Sequence, residues 1–152
     1  MKTKMMIYVP LILSAIMLGG CTHNNGDIGD LFGEWRLEEL KADGVPQPLY
    51  DSETLLYTWE FQSDIIFIQT ILPHESYARA KGTWSRTDGM LMLDFDHHDI
   101  DGYIYYTPPA PLHLVERGVT PLHLVTLDGK NLRAEYTASD GIKYEYVLRK
   151  AY

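Results

Sequence analysis

Alternation of apolar and polar residues with a period of two is the feature that most constrains the fold of this chain. It runs through residues 55–62, 131–137 and 142–149. Successive side chains of an extended chain point to opposite faces, so each segment predicts a strand with one buried and one solvated face. Helical spacing is imitated only over residues 31–40, where Gly33 disfavours a helix. The pattern therefore predicts an all-β domain.

Short turn dipeptides divide this pattern into nine expected strands. The dipeptides are Asp-Gly at 43–44, 88–89, 128–129 and 140–141, and Ser-Asp at 63–64. Asp-Gly supplies the positive φ angles that tight hairpin turns need. The expected strands are 33–41, 55–63, 65–72, 77–86, 90–96, 103–107, 119–127, 131–138 and 142–150. Hairpins between successive strands predict an antiparallel meander of eight or nine strands. Closure into a barrel removes the exposed edges of such a meander, and a β-sandwich is the alternative.

The first 21 residues have the three parts of a secretory signal. A basic start with Lys2 and Lys4 is followed by an apolar run over residues 5–18 and by Leu18-Gly19-Gly20-Cys21. The apolar run is shorter than the roughly 20 residues that cross a bilayer. The segment resembles a bacterial lipoprotein signal, in which the cysteine is lipidated and becomes the first residue of the mature protein. The resemblance implies lipidation at Cys21, and an ordinary signal peptide with an incidental cysteine is the alternative.

This signal sets the expected domain organisation and location. Residues 1–20 are a lipoprotein signal peptide, residues 21–29 a flexible polar tether, and residues 30–152 the folded domain. Thr22 follows the cysteine, whereas an Asp at that place retains lipoproteins in the inner membrane of well-studied bacteria. The expected location is therefore the outer membrane of the cell envelope, with its periplasmic and its surface face both open as alternatives.

Composition excludes several classes of function. Without Lys2 and Lys4, 11 basic and 21 acidic residues give the mature chain a net charge of −10. No cluster of Lys and Arg marks a nucleic-acid site. The single cysteine excludes an internal disulfide and a Cys-rich zinc site. Because the chain has no nucleophile, zincin or phosphate-binding motif, we expect neither enzymatic activity nor a cofactor, although a carboxylate pair of the glycosidase type stays open.

Two short motifs and the last expected strand carry a resemblance to a known family. The motifs are Gly33-Glu34-Trp35 in the first strand and Gly82-Thr83-Trp84, which is followed by Leu91-Met92-Leu93. Together with residues 144–150, they resemble lipocalins and bacterial lipocalin-like domains over residues 30–150. The resemblance implies a closed β-barrel, often lipid-anchored, that can bind a ligand.

Tryptophans and tyrosines are the candidates for ligand contact. We expect Trp35 to cover one end of the barrel while Gly33 lets backbone approach closely; the alternative is that all three tryptophans are simply large core residues. Trp59 is also a candidate ligand-binding residue. Tyr103, Tyr105 and Tyr106 precede three prolines and predict a stiff aromatic rim, where rings can stack on an apolar or glycan-like ligand. An edge strand ended by proline is the alternative.

Two groups of histidines are weaker candidates. His97 and His98 lie among four aspartates, which are ligand types for metals, but adjacent side chains of an extended chain diverge, so we expect a solvated loop and no metal. Residues 111–115 and 121–125 have the same sequence, Pro-Leu-His-Leu-Val, and predict a hairpin with His113 and His123 on related faces. Coincidence or local duplication is the alternative.

Two classes of function follow. The favoured one is a lipid-anchored binding module of the cell envelope that holds a small apolar or glycan-like ligand in, or at the mouth of, its barrel. The alternative is a non-enzymatic interaction lipoprotein that docks on an envelope protein partner. An apolar cavity of about 300 Å³ or more favours the binding module, whereas a filled barrel with an exposed patch favours the interaction protein.

Overall fold

One antiparallel sheet contains every strand of the described chain. The computed structural model describes residues 29–50, 54, 56–74, 77–95 and 107–151. The strands are β1 (Gly33–Ala42), β2 (Val45–Pro46), β3 (Leu56–Gln62), β4 (Ile65–Ile71), β5 (Tyr77–Thr87), β6 (Met90–Asp94), β7 (Val119–Leu127), β8 (Asn131–Thr137) and β9 (Lys143–Lys150). Their order in the sheet is β2-β1-β3-β4-β5-β6-β7-β8-β9. The expected all-β meander is confirmed.

Pairing between the first and last long strands closes the sheet. β1 pairs with β3 along its first half and with β9 along nearly its whole length, from Trp35 opposite Lys150 to Ala42 opposite Tyr144. A register shift between Leu37 and Glu39 accommodates the double pairing. Eight strands therefore form a closed barrel, and the short β2 adds a hairpin to the end of β1. This closure decides against the β-sandwich alternative.

Eight of the nine expected strands are present, with small shifts at their ends. The exception is 103–107, of which residues 103–106 lie outside the described residues and Thr107 is in a bend. Two elements were not expected from the sequence: β2, and a short 3₁₀ helix over Ala110–Leu112. Both are too short to show a periodicity.

Three of the four Asp-Gly turns contain the expected positive φ angles. In the turns at 43–44 and 88–89, both residues have positive φ, and in the turn at 140–141 Gly141 does. The expectation is wrong at 128–129, where neither residue has positive φ. There the carboxylate of Asp128 accepts the backbone N–H groups of Lys130 and Asn131, each at 2.8 Å. An Asx-type turn thus replaces the tight hairpin.

Large side chains fill the barrel interior of the described chain. The alternation predicted for β3 is present at Tyr57, Trp59 and Phe61, which are buried, and at Gln62, which is exposed, whereas Thr58 on the opposite face is buried as well. The largest fully buried side chains are Trp35, Trp59, Tyr146, Phe61, Phe95, Leu31, Leu37, Leu40, Ile66, Ile68, Leu91 and Leu93. Full burial of one such side chain stabilises the fold by about 1.5–3 kcal/mol relative to leaving it in water.

Trp35 lies near the start of β1, at one end of the barrel, and is fully buried. Its indole Nε1–H donates to the carbonyl of Leu31 at 2.7 Å, and both side chains are buried. The ammonium of Lys150 lies 4.8 Å from the centroid of the Trp35 ring and donates to the carbonyls of Asp30 and Phe32 at 3.1 and 2.5 Å. We call this the closed end.

Glycine is required in both motifs, for two different reasons. Gly33 has a φ of 109°, which a side chain would strain, so its backbone conformation requires glycine. The close approach expected at Gly33 stays a prediction. At Gly82, a Cβ atom would lie 2.6 Å from the carbonyl oxygen of Asp94 and 2.8 Å from a ring carbon of Phe95. The ring of Phe95 therefore packs directly on the backbone of β5. Trp84, also from the second motif, meets Phe61 edge-on, with centroids 5.4 Å apart.

The closed end gives the first prediction. Trp35→Ala should lower the free energy of unfolding by roughly 3–5 kcal/mol, because it leaves a cavity and removes the ring beneath Lys150. Urea denaturation measures this change. Phe32→Ala is the matched control, since Phe32 is 44% exposed and its loss should cost little. Equal effects of the two substitutions would contradict the role of Trp35 as a seal.

The second prediction concerns Gly82. Gly82→Ala should cost about 1–3 kcal/mol, because the new methyl group has to displace either a strand carbonyl or the Phe95 ring. Gly129→Ala is the control, since a Cβ there meets nothing within 4 Å and needs no unusual φ. Thermal unfolding of both variants compares them directly, and a stable Gly82→Ala protein would show that Phe95 packs elsewhere.

Candidate functional site

Strand direction places the long connections at the end opposite Trp35. β1 runs away from the closed end, and every following pairing is antiparallel. The closed end therefore has the short turns at 63–64, 88–89 and 128–130. At the opposite end, which we call the open end, the connections from β1 to β3, β4 to β5, β6 to β7 and β8 to β9 leave one strand and enter the next. Sites that need variable loops on a rigid frame belong at this end.

Part of the longest connection folds into the open end. We call residues 107–118 the strap. Its Leu112 and Leu114 are buried and belong to the hydrophobic core. Buried Tyr146, on β9, donates its hydroxyl hydrogen to the carbonyl of Leu112 at 2.8 Å. At the other side, the N–H of Val115 donates to the hydroxyl oxygen of buried Thr120 at 2.9 Å. The strap is thus attached to the barrel by polar bonds on two strands.

Proline explains why the strap is not a strand. Pro108, Pro109 and Pro111 fix φ and remove backbone donors, so this segment can contribute little to a sheet. The chain instead makes one 3₁₀ turn, which ends at His113 in the left-handed region with a φ of 54°. This turn sends the side chain of Leu112 into the core and leaves His113 exposed.

A pocket of about 380 Å³ lies between the strap and the turn that joins β8 to β9. We call it the mouth pocket. His113 lies parallel to Tyr144 at one of its walls, with ring centroids 4.6 Å apart and an interplanar angle of 11°. The lining residues are Ala110, His113, Leu114, Val115, Glu116, Tyr136, Ala138, Ser139, Asp140 and Tyr144.

Negative charge dominates the mouth pocket. Glu116 and Asp140 carry its charged groups, and neither Lys nor Arg is among its lining residues. One carboxylate oxygen of Asp140 accepts the N–H of Ile142 at 3.0 Å, which fixes the side chain in its turn. Burial raises the pKa of the Tyr144 hydroxyl, and the negative charges of Asp140 and Asp43 raise that pKa further.

Several residues singled out from the sequence cannot be placed at this site. Tyr103, Tyr105 and Tyr106 lie outside the described residues, as do Cys21 and the His97-His98 pair. The predicted tyrosine rim and lipidation therefore stay predictions.

Trp59 is placed, but away from the mouth pocket. It is fully buried, with its ring centroid 5.5 Å from that of Tyr146. Within the described chain its indole N–H has no hydrogen-bond partner, and the same is true of Trp84. Trp59 is not among the residues that line the mouth pocket. Its predicted contact with a ligand stays a prediction.

The repeated Pro-Leu-His-Leu-Val segments do not form the expected hairpin. Residues 111–115 belong to the strap, whereas residues 121–125 lie in β7, between β6 and β8. His113 lines the mouth pocket, and His123 faces solvent opposite Met90, next to a turn of the closed end. The two histidines therefore belong to different surfaces, and the prediction of related faces is wrong.

Sequence reasoning missed the partners of His113. The sequence pattern places Tyr136 and Tyr144 in strands and Asp140 in a turn, and gives no sign that they share a site with His113. One signal was available: in a meander, the β8–β9 turn and the long connection after β6 open toward the same end. The pattern of apolar and polar residues does not predict that the strap turns inward at His113.

The described residues offer neither a metal site nor a membrane-spanning helix. In that part of the chain, no three His, Cys, Asp or Glu side chains come together as a metal site. No helix among the same residues is long and apolar enough to span a bilayer.

Comparison with known proteins finds similar folds among solved structures. No protein-family model matches the chain, and no curated protein does. Among solved structures, it is similar to a lipocalin-like protein from Bacteroides uniformis, with 21% identity and a TM-score of 0.55 over 80% of this chain and 99% of that one. An uncharacterized protein from Bacteroides eggerthii has 18% identity and a TM-score of 0.54, over 79% and 98% of the two chains. The fold resemblance inferred from the two Gly-X-Trp motifs is confirmed.

The strap gives the third prediction. Tyr146→Phe should leave the buried carbonyl of Leu112 without a donor, at a cost of about 1–3 kcal/mol, and should increase amide hydrogen exchange in the strap. Mass spectrometry measures the rate of amide hydrogen exchange in the strap. Tyr50→Phe is the control, because the Tyr50 hydroxyl donates to the carbonyl of Leu37, outside the strap. Unchanged exchange at 107–118 in Tyr146→Phe would show that this bond does not hold the strap.

Proposed function

We propose that this lipocalin-like barrel is a lipid-anchored, non-catalytic binding module of the cell envelope, which holds a small ligand at its open end. The observation that carries the proposal is the mouth pocket. Its volume of about 380 Å³ lies in the range of roughly 300–1,000 Å³ that is usual for small-molecule sites.

The packing of the barrel favours the mouth over the deep interior as the ligand site. Trp59, Phe61 and Tyr146 occupy the interior, and Leu112 of the strap covers them. A ligand deeper than the mouth pocket would have to displace the strap and break the bond from Tyr146 to Leu112. A ligand in the mouth pocket needs no such change.

The lining suits a ligand with an apolar or flat face. Tyr136, Tyr144 and His113 provide rings, and Leu114 provides an aliphatic wall that is 6% exposed. Rings of this kind stack on aromatic groups and on the apolar faces of sugars. Ser139 and the two carboxylates add polar groups that can fix the orientation of a ligand.

The direction of the chain supports anchoring from the closed end. The folded domain begins there, where Leu31 is buried beneath Trp35. A tether of residues 21–29 spans at most about 30 Å when fully extended. Lipidation at Cys21 would therefore hold the closed end near the outer membrane, and the mouth pocket would face away from the bilayer.

The interaction-protein alternative has its own supporting observation. Val45 on β2 and Tyr50 in the following connection are 62% and 39% exposed at the open end. Together with the filled interior, they make a surface that a protein partner could cover. The binding module predicts that the purified protein carries a small molecule, whereas the interaction protein predicts that it carries a protein partner.

Native mass spectrometry of the full chain, purified from its membrane, distinguishes the two. A binding module should retain a small molecule, and Ala110→Trp, which fills the mouth pocket, should lose it. Val45→Trp is the control and should keep the small molecule. A protein companion that is lost from Val45→Trp, with no small molecule on either protein, would instead establish the interaction protein.

Lipidation gives a separate prediction. Metabolic labelling with a palmitate analogue should mark the wild-type chain, and Cys21→Ala should be unlabelled and released from membranes. Stable residence on a membrane needs more than one acyl chain, which a diacylglyceryl group with an amide-linked acyl chain provides. Equal labelling of the two proteins would contradict the assignment.

A further inference from the structure

We infer that the mouth pocket takes an organic cation, a small molecule with a protonated or quaternary amine beside a compact apolar or aromatic body. The inference rests on the proposed function and specifies the chemical class of its ligand. Three features of the described residues carry it: uncompensated carboxylates, a buried tyrosine with a free hydroxyl, and a small apolar wall.

The mouth pocket contains two carboxylates without a basic partner among the described residues. Five glutamates on the outer faces of the strands have Lys or Arg partners within 4 Å, namely Glu38, Glu39, Glu60, Glu135 and Glu145. Within the described chain, Glu116 and Asp140 have no such partner. The pocket therefore contains negative charge that the protein itself leaves unpaired.

The basic residues nearest in sequence do not change this balance. The ammonium of Lys143, three residues after Asp140, lies 2.8 Å from a carboxylate oxygen of Glu135 on the outer face. Arg117 follows Glu116 but is not part of the lining. His113 is the only lining residue that can become a cation, and its ring is stacked on Tyr144.

Tyr144 is the second feature, and it is independent of the carboxylates. It is 5% exposed and lines the mouth pocket, yet its hydroxyl makes no hydrogen bond within the described residues. The oxygen is not one of the fully buried, unpartnered polar atoms of the described chain, so it is accessible from the pocket that the ring lines, and a ligand there can reach it. Its oxygen can accept an N–H of an ammonium group, and the rings of Tyr144 and Tyr136 attract a cation through their electron-rich faces.

The electrostatic field at this hydroxyl has the sign that favours a cation. Burial is the first cause of the raised pKa of Tyr144, and the charges of Asp140 and Asp43 add to it. The same field that opposes a phenolate opposes a carboxylate or phosphate ligand. It attracts an ammonium group.

Size and walls limit the rest of the ligand. A volume of about 380 Å³ is at the low end for small-molecule pockets, so the body of the ligand is about as large as one ring with a short chain. Leu114, Ala110 and Ala138 give this body an apolar surface to lie on. An inorganic cation would leave these walls without a contact.

Three probes that differ chiefly in charge test the inference. They are 2-phenylethylammonium, the neutral 2-phenylethanol and the anionic 3-phenylpropanoate, each titrated into the full chain in nonionic detergent at neutral pH. NMR signals of the His113 and Tyr144 rings report binding at the pocket. We expect the cation to bind at least about tenfold more tightly than the neutral probe, a difference of about 1.4 kcal/mol, and the anion not to bind. Added salt should weaken the cation alone.

Charge-neutralising variants locate the effect. Asp140→Asn keeps an oxygen that can accept the N–H of Ile142, and Glu116→Gln keeps the size of the side chain. Each should weaken the cation about three- to tenfold and leave the neutral probe unchanged. Asp128→Asn is the matched control, because its carboxylate accepts backbone N–H groups in a turn at the closed end and should not affect binding.

The outcomes separate the inference from the function on which it rests. Two results would contradict the inference of an organic cation: equal binding of the cationic and neutral probes, or unchanged affinity of Asp140→Asn for the cation. Either result leaves the proposal of a small ligand at the mouth pocket intact. No ring shift with any probe also overturns the organic cation. The proposed function fails only if native mass spectrometry finds no small molecule on the purified chain, and that measurement uses none of the probes.

Discussion

The pairing of β1 with β9 is the constraint on which the rest of the structure depends. It gives each long strand two neighbours, so no long strand is left as an open edge of the sheet. It also separates an inside from an outside, which is what gives the period-two alternation its physical meaning. The same register puts Lys150 opposite Trp35 and Tyr144 opposite Ala42, so that one strand contributes to both ends of the barrel.

The two ends are closed by different kinds of interaction. At the closed end, an indole and an ammonium group satisfy backbone carbonyls directly beneath the first strand. At the open end, the strap is attached through the hydroxyls of Tyr146 and Thr120, and part of its surface lines the mouth pocket. The closed end is thus a continuation of the core, whereas the open end is a loop docked on it, and local opening is easier there.

The sequence predicted most of the barrel and little of the mouth pocket. Strands such as β3 and β9 were predictable because alternation is a local pattern, in which one face of the strand packs in the barrel interior and the other faces outward. The strap was not, and the reason is visible in the repeated pentapeptide. Residues 121–125 have strand partners on both sides, but residues 111–115 follow prolines and have none in the described chain, so identical sequences fold differently. The pocket then unites residues 110–116 with 136–144, a proximity that no local pattern contains.

Closure of the barrel by its terminal strands has a consequence for how the domain forms. Trp35 and Lys150 are opposite each other in the sheet but more than a hundred residues apart along the chain. A pairing this distant forms more slowly than the hairpins of the meander, because the long loop has to close before its contacts stabilise it. A nascent chain that ends before β9 has two unpaired edges, on β1 and on β8, and an uncovered indole. Such a chain has to be kept from self-association until its last eight-residue strand is available.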